Sequence, residues 1–285
     1  MKKHLSRAAI LPLLAAAALS NFNARAYAAD VSAWDNDQRS AARLIAGTPK
    51  GVGAERVFRG GIEMKIQAGW KTYWSYPGDS GVPPRFDFAG SDNVKSATVL
   101  FPAPIRFPDG AGGHSIGYTG AVIFPVHVVA QDAGKPVLLR MQMDYAVCEK
   151  LCIPAKAKAE LTLGGAAMND GALANAEARV PKLTEIGQGA PLAIAAARRE
   201  NGGSKPTVLV DVAAPGNAKI DLFAEGPTPD WALPLPEPVA GAPAGMQRFR
   251  FEIDGVPPGA NPEGATLRLT ATAGDKAVEA PFRLD

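Results

Sequence analysis

The chain has 285 residues, 47% hydrophobic, 20% charged and only 7% aromatic, enough to bury a core but too long for one small domain, so two domains are expected. Lysine and arginine total 30 against 28 acidic residues, and four of those cations, Lys2, Lys3, Arg7 and Arg25, precede the first acidic residue, Asp30. A near-neutral remainder without basic runs argues against a nucleic-acid partner, because phosphate binding needs clustered cations, while 30 glycines and 25 prolines argue against a helical bundle.

Residues 1–28 read as a cleaved signal peptide: Lys2, Lys3 and Arg7 open it, 8–19 is apolar, and Ala26-Tyr27-Ala28 supplies the small-x-small cleavage pattern. The apolar run is much shorter than the ~20 residues that cross a bilayer. No later run is long and apolar enough to span, so the expected mature chain has no transmembrane segment and works in the periplasm, where disulfides form and persist. From residue 57 the pattern predicts strands over 57–67, 70–75, 94–101, 121–129, 137–146 and 157–163. Turn signals separate them: Pro-Gly-Asp-Ser-Gly at 77–81, Pro102-Ala103-Pro104, and the glycine-rich run 109–113.

In the stretch 166–189, Leu173, Glu177 and Val180 recur at helical spacing behind a capping Asp170, which predicts a short helical linker that Pro181 shortens or kinks and that Gly187 and Gly189 end. Strand patterning then resumes over 192–198, 207–212, 219–223, 247–253, 266–273 and 277–284, with the proline-rich 228–243 as a long loop. The expected architecture is all-β: two β-sandwich domains, 29–165 and 190–285, joined by that linker.

The only two cysteines stand in Cys148-Glu149-Lys150-Leu151-Cys152. Along an extended strand they would be about 13 Å apart at ~3.3 Å per residue, whereas a disulfide needs Cα atoms within ~7 Å, so pairing them requires a turn. The pair is expected at an exposed hairpin end, between the strands over 137–146 and 157–163, with Pro154 helping to stop pairing at the tip. A staple this small would restrict the unfolded chain by only ~2 kcal/mol, against almost 5 for a ring of about 100 residues. Lys150, Lys156 and Lys158 favour a thiolate and Glu149 opposes it. Thiol exchange, a structural staple and metal ligation all remain open on these grounds.

Tyr145-Ala146-Val147-Cys148 and Cys152-Ile153-Pro154 resemble the active-site hairpin of the N-terminal periplasmic domain of the thiol:disulfide interchange protein DsbD, and the CxxxC-Ile-Pro spacing resembles its copper-sensitivity-suppressor branch, ScsB. Gly69-Trp70, Tyr73-Trp74, Phe101-Pro102, the run from Asp109 through Gly113 to Ser115 and Tyr118, and Phe124-Pro125-Val126 extend the likeness over roughly 45–163. The resemblance implies immunoglobulin-like sandwiches and a cysteine pair that relays electrons between thioredoxin-like periplasmic proteins and a membrane electron donor. Cys152 would be the sulfur attacked, and Cys148 would resolve the mixed disulfide. Asp109, Gly110, Ala111, Gly112 and Gly113 match the loop that caps the pair, with Asp109 as a proton relay or hydrogen-bonding group and Tyr145 packed beside the sulfurs. Where the family's cap is aromatic, this chain has Gly110, Ala111 and Gly112, so an aromatic shield is not expected from it. The chain ends at Asp285 without a membrane or thioredoxin-like domain, which puts the expected donor in trans.

No cofactor is expected beyond the disulfide itself. The alternatives are a copper-handling protein, with soft ligands Cys148, Cys152 and Met143 holding Cu(I), and a non-catalytic β-sandwich module in which the disulfide only pins the hairpin. Met141 and Met143 share one strand face and read equally well as core. Trp70, Tyr73 and Trp74 read as sheet packing, His127 as a packed histidine, and His114 as the better candidate for proton chemistry.

Overall fold

In the computed structural model the described residues are 29–165, 167–201, 205–216 and 218–285; the expected signal peptide, 1–28, lies outside them. The first part of the chain forms β1 (Asp35–Asn36), β2 (Ser40–Lys50), β3 (Val57–Ile66), β4 (Lys71–Gly78), β5 (Arg85–Asp87), β6 (Val94–Val99), β7 (Ile105–Pro108), β8 (His114–Thr119), β9 (Ala121–Ala130), β10 (Val137–Cys148) and β11 (Cys152–Leu163). One sheet has the order β1-β2-β3-β9-β6, and the facing sheet β11-β10-β4-β8-β7, with β5 also paired to β10.

A strand turns alternate side chains to opposite faces, and β10 follows that rule closely. Val137, Leu139, Met141, Met143, Tyr145 and Val147 point between the sheets and are buried there with Leu44, Phe58, Ile62 and Phe124. Edge-to-face contacts between Phe124 and both Phe101 and Tyr118, with ring centroids 5.4 and 5.3 Å apart, fill one end of that core.

The helix α1 (Asp170–Ala178) packs on the outer face of the first sheet through buried Leu173 and Ala176. A side chain at Gly61 would come within 2.7 Å of Leu173, so a glycine there lets the helix lie close. Asp170 does not cap the helix as the sequence suggested. Its carboxylate accepts from the Thr48 N–H at 2.9 Å and from Arg59 Nη1 at 2.7 Å, tying the helix to β2 and β3 instead. Arg59 Nε and Nη2 donate to Glu177 at 2.8 and 3.0 Å.

The second sandwich is built from β12 (Lys182–Leu183), β13 (Ala193–Glu200), β14 (Thr207–Ala213), β15 (Ile220–Glu225), β16 (Glu237–Val239), β17 (Met246–Glu252), β18 (Thr266–Ala273) and β19 (Lys276–Arg283). Its sheets run β12-β19-β18-β15 and β13-β14-β17-β16. The expected long loop, 228–243, contains the edge strand β16 and dips inward, burying Trp231, Leu233 and Leu235. Prolines suit an edge strand because a missing N–H costs nothing where no neighbour accepts it.

The two sandwiches are in contact. Phe223 of β15 and Leu235 join the core of the first sandwich, and the Phe223 ring lies 5.6 Å from that of Trp74 on β4. The Tyr76 hydroxyl donates to the Leu233 carbonyl, and Ser75 Oγ donates to Glu225 at 3.0 Å.

Candidate redox site

The β10–β11 hairpin stays in register along its whole length and ends with Cys148 opposite Cys152, joined as a disulfide with Cα atoms 4.1 Å apart. Pro154 does not stop the pairing, contrary to expectation: it stands opposite Ala146. β11 is the edge of its sheet, where an absent N–H can face outward without cost. Glu149, Lys150 and Leu151 form the exposed tip.

The two cysteines differ sharply in exposure. Cys148 is 2% exposed and packed against Tyr73 and Ala146, whereas Cys152 is exposed. Cys148 lies opposite Lys71 of β4, whose Nζ donates to the Pro108 carbonyl at 3.2 Å and sits 4.6 Å from the Phe107 ring centroid.

Tyr73 is the aromatic group at the sulfurs. Its hydroxyl is 3.2 Å from Cys152 Sγ. Burial pushes the Tyr73 phenol up, a hydrogen bond with Ser115 holds it down, and the Asp109 charge adds to the rise. Ser115 and Ser80 share a hydrogen bond at 3.1 Å, and Ser80 Oγ donates to Asp109 Oδ2 at 3.3 Å. The turn at 77–81 lies directly on the phenol ring. Gly81 has φ of +132°, and any side chain there would run into Tyr73.

The cap loop is organised by Asp109. Its Oδ1 accepts from the N–H groups of Ala111 at 2.7 Å and Gly113 at 3.0 Å. The Ala111 N–H foremost, then Gly113, Ser80 and the nearby His114, hold this carboxyl below the usual range against the cost of desolvation. Its carboxylate is thus the acceptor that shapes the loop. Asp79 binds from the other side, accepting the His114 N–H at 2.8 Å, and Gly113 fits between the carboxylates because a side chain there would be 2.8 Å from Asp79 and 2.9 Å from Asp109. Gly110 and Gly112 take positive φ in the turn.

Other sequence-derived candidates fall elsewhere. Tyr145 is on the opposite face of β10 from Cys148, buried in the core with its hydroxyl 2.8 Å from Ser40 Oγ; the period of two that puts Cys148 outward puts Tyr145 inward. Met143 is inward for the same reason and 1% exposed, so the strand does not bring it to the sulfurs, and the Cys148–Cys152–Met143 ligand set is not assembled. His127 is not simply packed: its Nε2 is 3.2 Å from Glu177 Oε1. Lys156 pairs with Asp144 at 2.8 Å. Tyr73, Ser80, Ser115 and Lys71 were not singled out as site residues, and the one available signal was the aromatic strand around Tyr73 in a chain whose cap loop has no ring.

Residues 45–164 match the family described as "Thiol:disulfide interchange protein DsbD, N-terminal". The matched segment lies within the first sandwich. Among solved structures, the chain is similar to the crystal structure of the N-terminal periplasmic domain of ScsB from Proteus mirabilis, with a TM-score of 0.68 and 18% identity over 90% of this chain and 98% of that one. At that identity the likeness speaks for the fold, and its coverage takes in both sandwiches. No curated protein sequence matches the chain. The DsbD N-terminal match thus falls on the segment that holds the disulfide, and no helix among the described residues is long and apolar enough to cross a membrane.

Proposed function

We propose that the chain is a periplasmic thiol:disulfide interchange protein that relays electron pairs through Cys148 and Cys152. The observation that carries this reading is the asymmetry of the pair: one sulfur belongs to an exposed residue and lies against a buried phenol, while the other belongs to a residue enclosed by the sheet. A staple has no use for such a difference, whereas exchange by in-line attack needs one accessible sulfur and one leaving sulfur.

In the proposed cycle a donor thiolate attacks Cys152 Sγ, the Cys148–Cys152 bond breaks, and Cys148 leaves as a thiolate that takes up a proton. The donor's second thiol then attacks the donor sulfur of the mixed disulfide, leaving a donor disulfide and a reduced Cys148/Cys152 pair. Passing electrons on reverses the roles: the Cys152 thiolate attacks an acceptor disulfide, and Cys148 resolves it. Two electrons and two protons move in each half. The Tyr73 hydroxyl is placed to donate to the Cys152 thiolate, which favours the reactive form. The match of 45–164 to the DsbD N-terminal family supports thioredoxin-like partners on one side and a membrane-embedded or thioredoxin-like donor on the other.

The test is the equilibrium reduction potential of the pair in a thiol redox series, together with mixed-disulfide trapping in a Cys148→Ser variant. Exchange-active pairs lie above about −300 mV and structural disulfides below it. The expected result is a potential in the exchange range and a Cys152 adduct with a thioredoxin-like protein. A potential below that range with no adduct refutes the relay.

A further inference from the structure

The hairpin that carries the cap loop is held from outside its own sandwich. Among the described residues β7 pairs only with β8, so it is the edge of its sheet, and it contributes four residues. β8 is paired on its other side with β4, so it is the short β7 that depends on contacts beyond the sheet. Arg106, in the middle of β7, has a side chain 10% exposed. Its Nη1 donates to Glu237 Oε1 at 2.8 Å, its Nη2 donates to the carbonyls of Pro236 at 2.9 Å and Leu222 at 3.2 Å, and its Nε lies 3.1 Å from Asp221 Oδ1. All four partners belong to the second sandwich. A planar guanidinium held by carboxylates and carbonyls from several sides fixes position as well as distance.

From Arg106 the contacts lead to the sulfurs through the packing of the hairpin. Pro108, at the end of β7, accepts from Lys71, the residue opposite Cys148. Asp109 and His114, at the two ends of the cap loop, hold Ser80 and Asp79 of the turn at 77–81. That turn lies on the Tyr73 ring, and Tyr73 covers Cys148. We infer that Arg106 is a positioning residue through which the second sandwich braces the β7–β8 hairpin, and so keeps Cys148 enclosed while Cys152 stays open. The brace deepens the proposed exchange role, because it maintains the asymmetry on which that role rests.

The test uses the full chain carrying Cys152→Ser, so that Cys148 is the only thiol, and measures its alkylation by iodoacetamide as a function of pH. The pH profile separates access from thiolate fraction. Adding Arg106→Ala should speed alkylation of Cys148 about tenfold at equal thiolate fraction, equivalent to ~1.4 kcal/mol of local opening free energy. Asp221→Asn with Glu237→Gln should do the same from the other side of the contact, and Arg106→Lys should fall between. Glu225→Gln, which alters the same interface away from the hairpin, should leave the rate unchanged. If Arg106→Ala does not fold, the Lys variant and the Asn/Gln pair carry the comparison. Unchanged alkylation in the folded Arg106 variants, or equal acceleration by Glu225→Gln, overturns the brace. Since no partner enters this experiment, its outcome is independent of whether Cys152 traps one.

Discussion

Tyr73 and Cys152 are 79 residues apart in the chain and meet at 3.2 Å, and that contact sets the chemistry expected of the exposed sulfur. A hydroxyl donates weakly to a disulfide sulfur and strongly to a thiolate, so it stabilises the reduced state more than the oxidised one. Removing it with Tyr73→Phe should raise the thiol pKa of Cys152 by about one unit and make the pair harder to reduce, lowering its potential by about 20–30 mV. Thiolate absorbance titration and a redox series read the two effects, and unchanged values in both would refute a role for the phenol. The family resemblance implies Tyr145, rather than Tyr73, packed beside the sulfurs. Both tyrosines are near the cysteines in some sense, but only the face of the strand decides which one touches sulfur, and Tyr145 shares its face with Met143 and Val147.

Among the elements, α1 is bound to the first sandwich by an ion cluster rather than hung between domains. Arg59 is 4% exposed and depends on Glu177 and Asp170 for charge balance, with Lys50 and His127 also on Glu177 at 3.1 and 3.2 Å. Burial alone would raise the Glu177 carboxyl; Arg59 above all, with Lys50 and His127, overrides it and holds the group at about 2 instead of 4.5. A depressed folded-state value means that the stabilisation is complete above about 4.5, the unfolded value, and is lost as pH falls toward about 2. Glu177→Gln should therefore flatten the acid limb of the stability curve over that window. Glu177→Ala should also cost ~2–3 kcal/mol at neutral pH, by leaving a buried guanidinium half-paired. Denaturant titrations at several pH values check both, and an acid limb identical to that of the parent chain would show that the cluster is not what binds the helix.

For the whole molecule, the interface is part of a core rather than a contact between finished surfaces. Phe223 is fully buried among residues of the first sandwich while its strand belongs to the second, and the Tyr76 hydroxyl is satisfied across the same boundary. The two sandwiches should unfold in one cooperative transition. Phe223→Ala removes a large buried ring and should cost ~3–4 kcal/mol, splitting the calorimetric transition into two as the sandwiches uncouple. A single transition, shifted but unsplit, would mean that the remaining polar contacts suffice to couple them. Rigid attachment matters to the site because β7, which Arg106 ties to the second sandwich, leads into the cap loop.

The all-β class, most strands and the hairpin around the cysteines were legible in the sequence because alternation, turn residues and a two-cysteine spacing are local signals. Some local signals misled. β2 was missed because its alanines and central arginine read weakly as strand, although Ala42 and Leu44 are fully buried. β7 and β8 were hidden by the glycine-rich run between them, and the register of Ala146 with Pro154 extended a hairpin that proline was expected to end. What the sequence determined by itself was the pair of thiols, the turn that joins them and the glycines that a tight cap requires, all of which depend on neighbours along the chain. Only the tertiary structure decided that Tyr73 meets Cys152, that Met143 stays in the core, and that Arg106 reaches the second sandwich, because strand face and sheet order are set by packing between residues far apart in sequence.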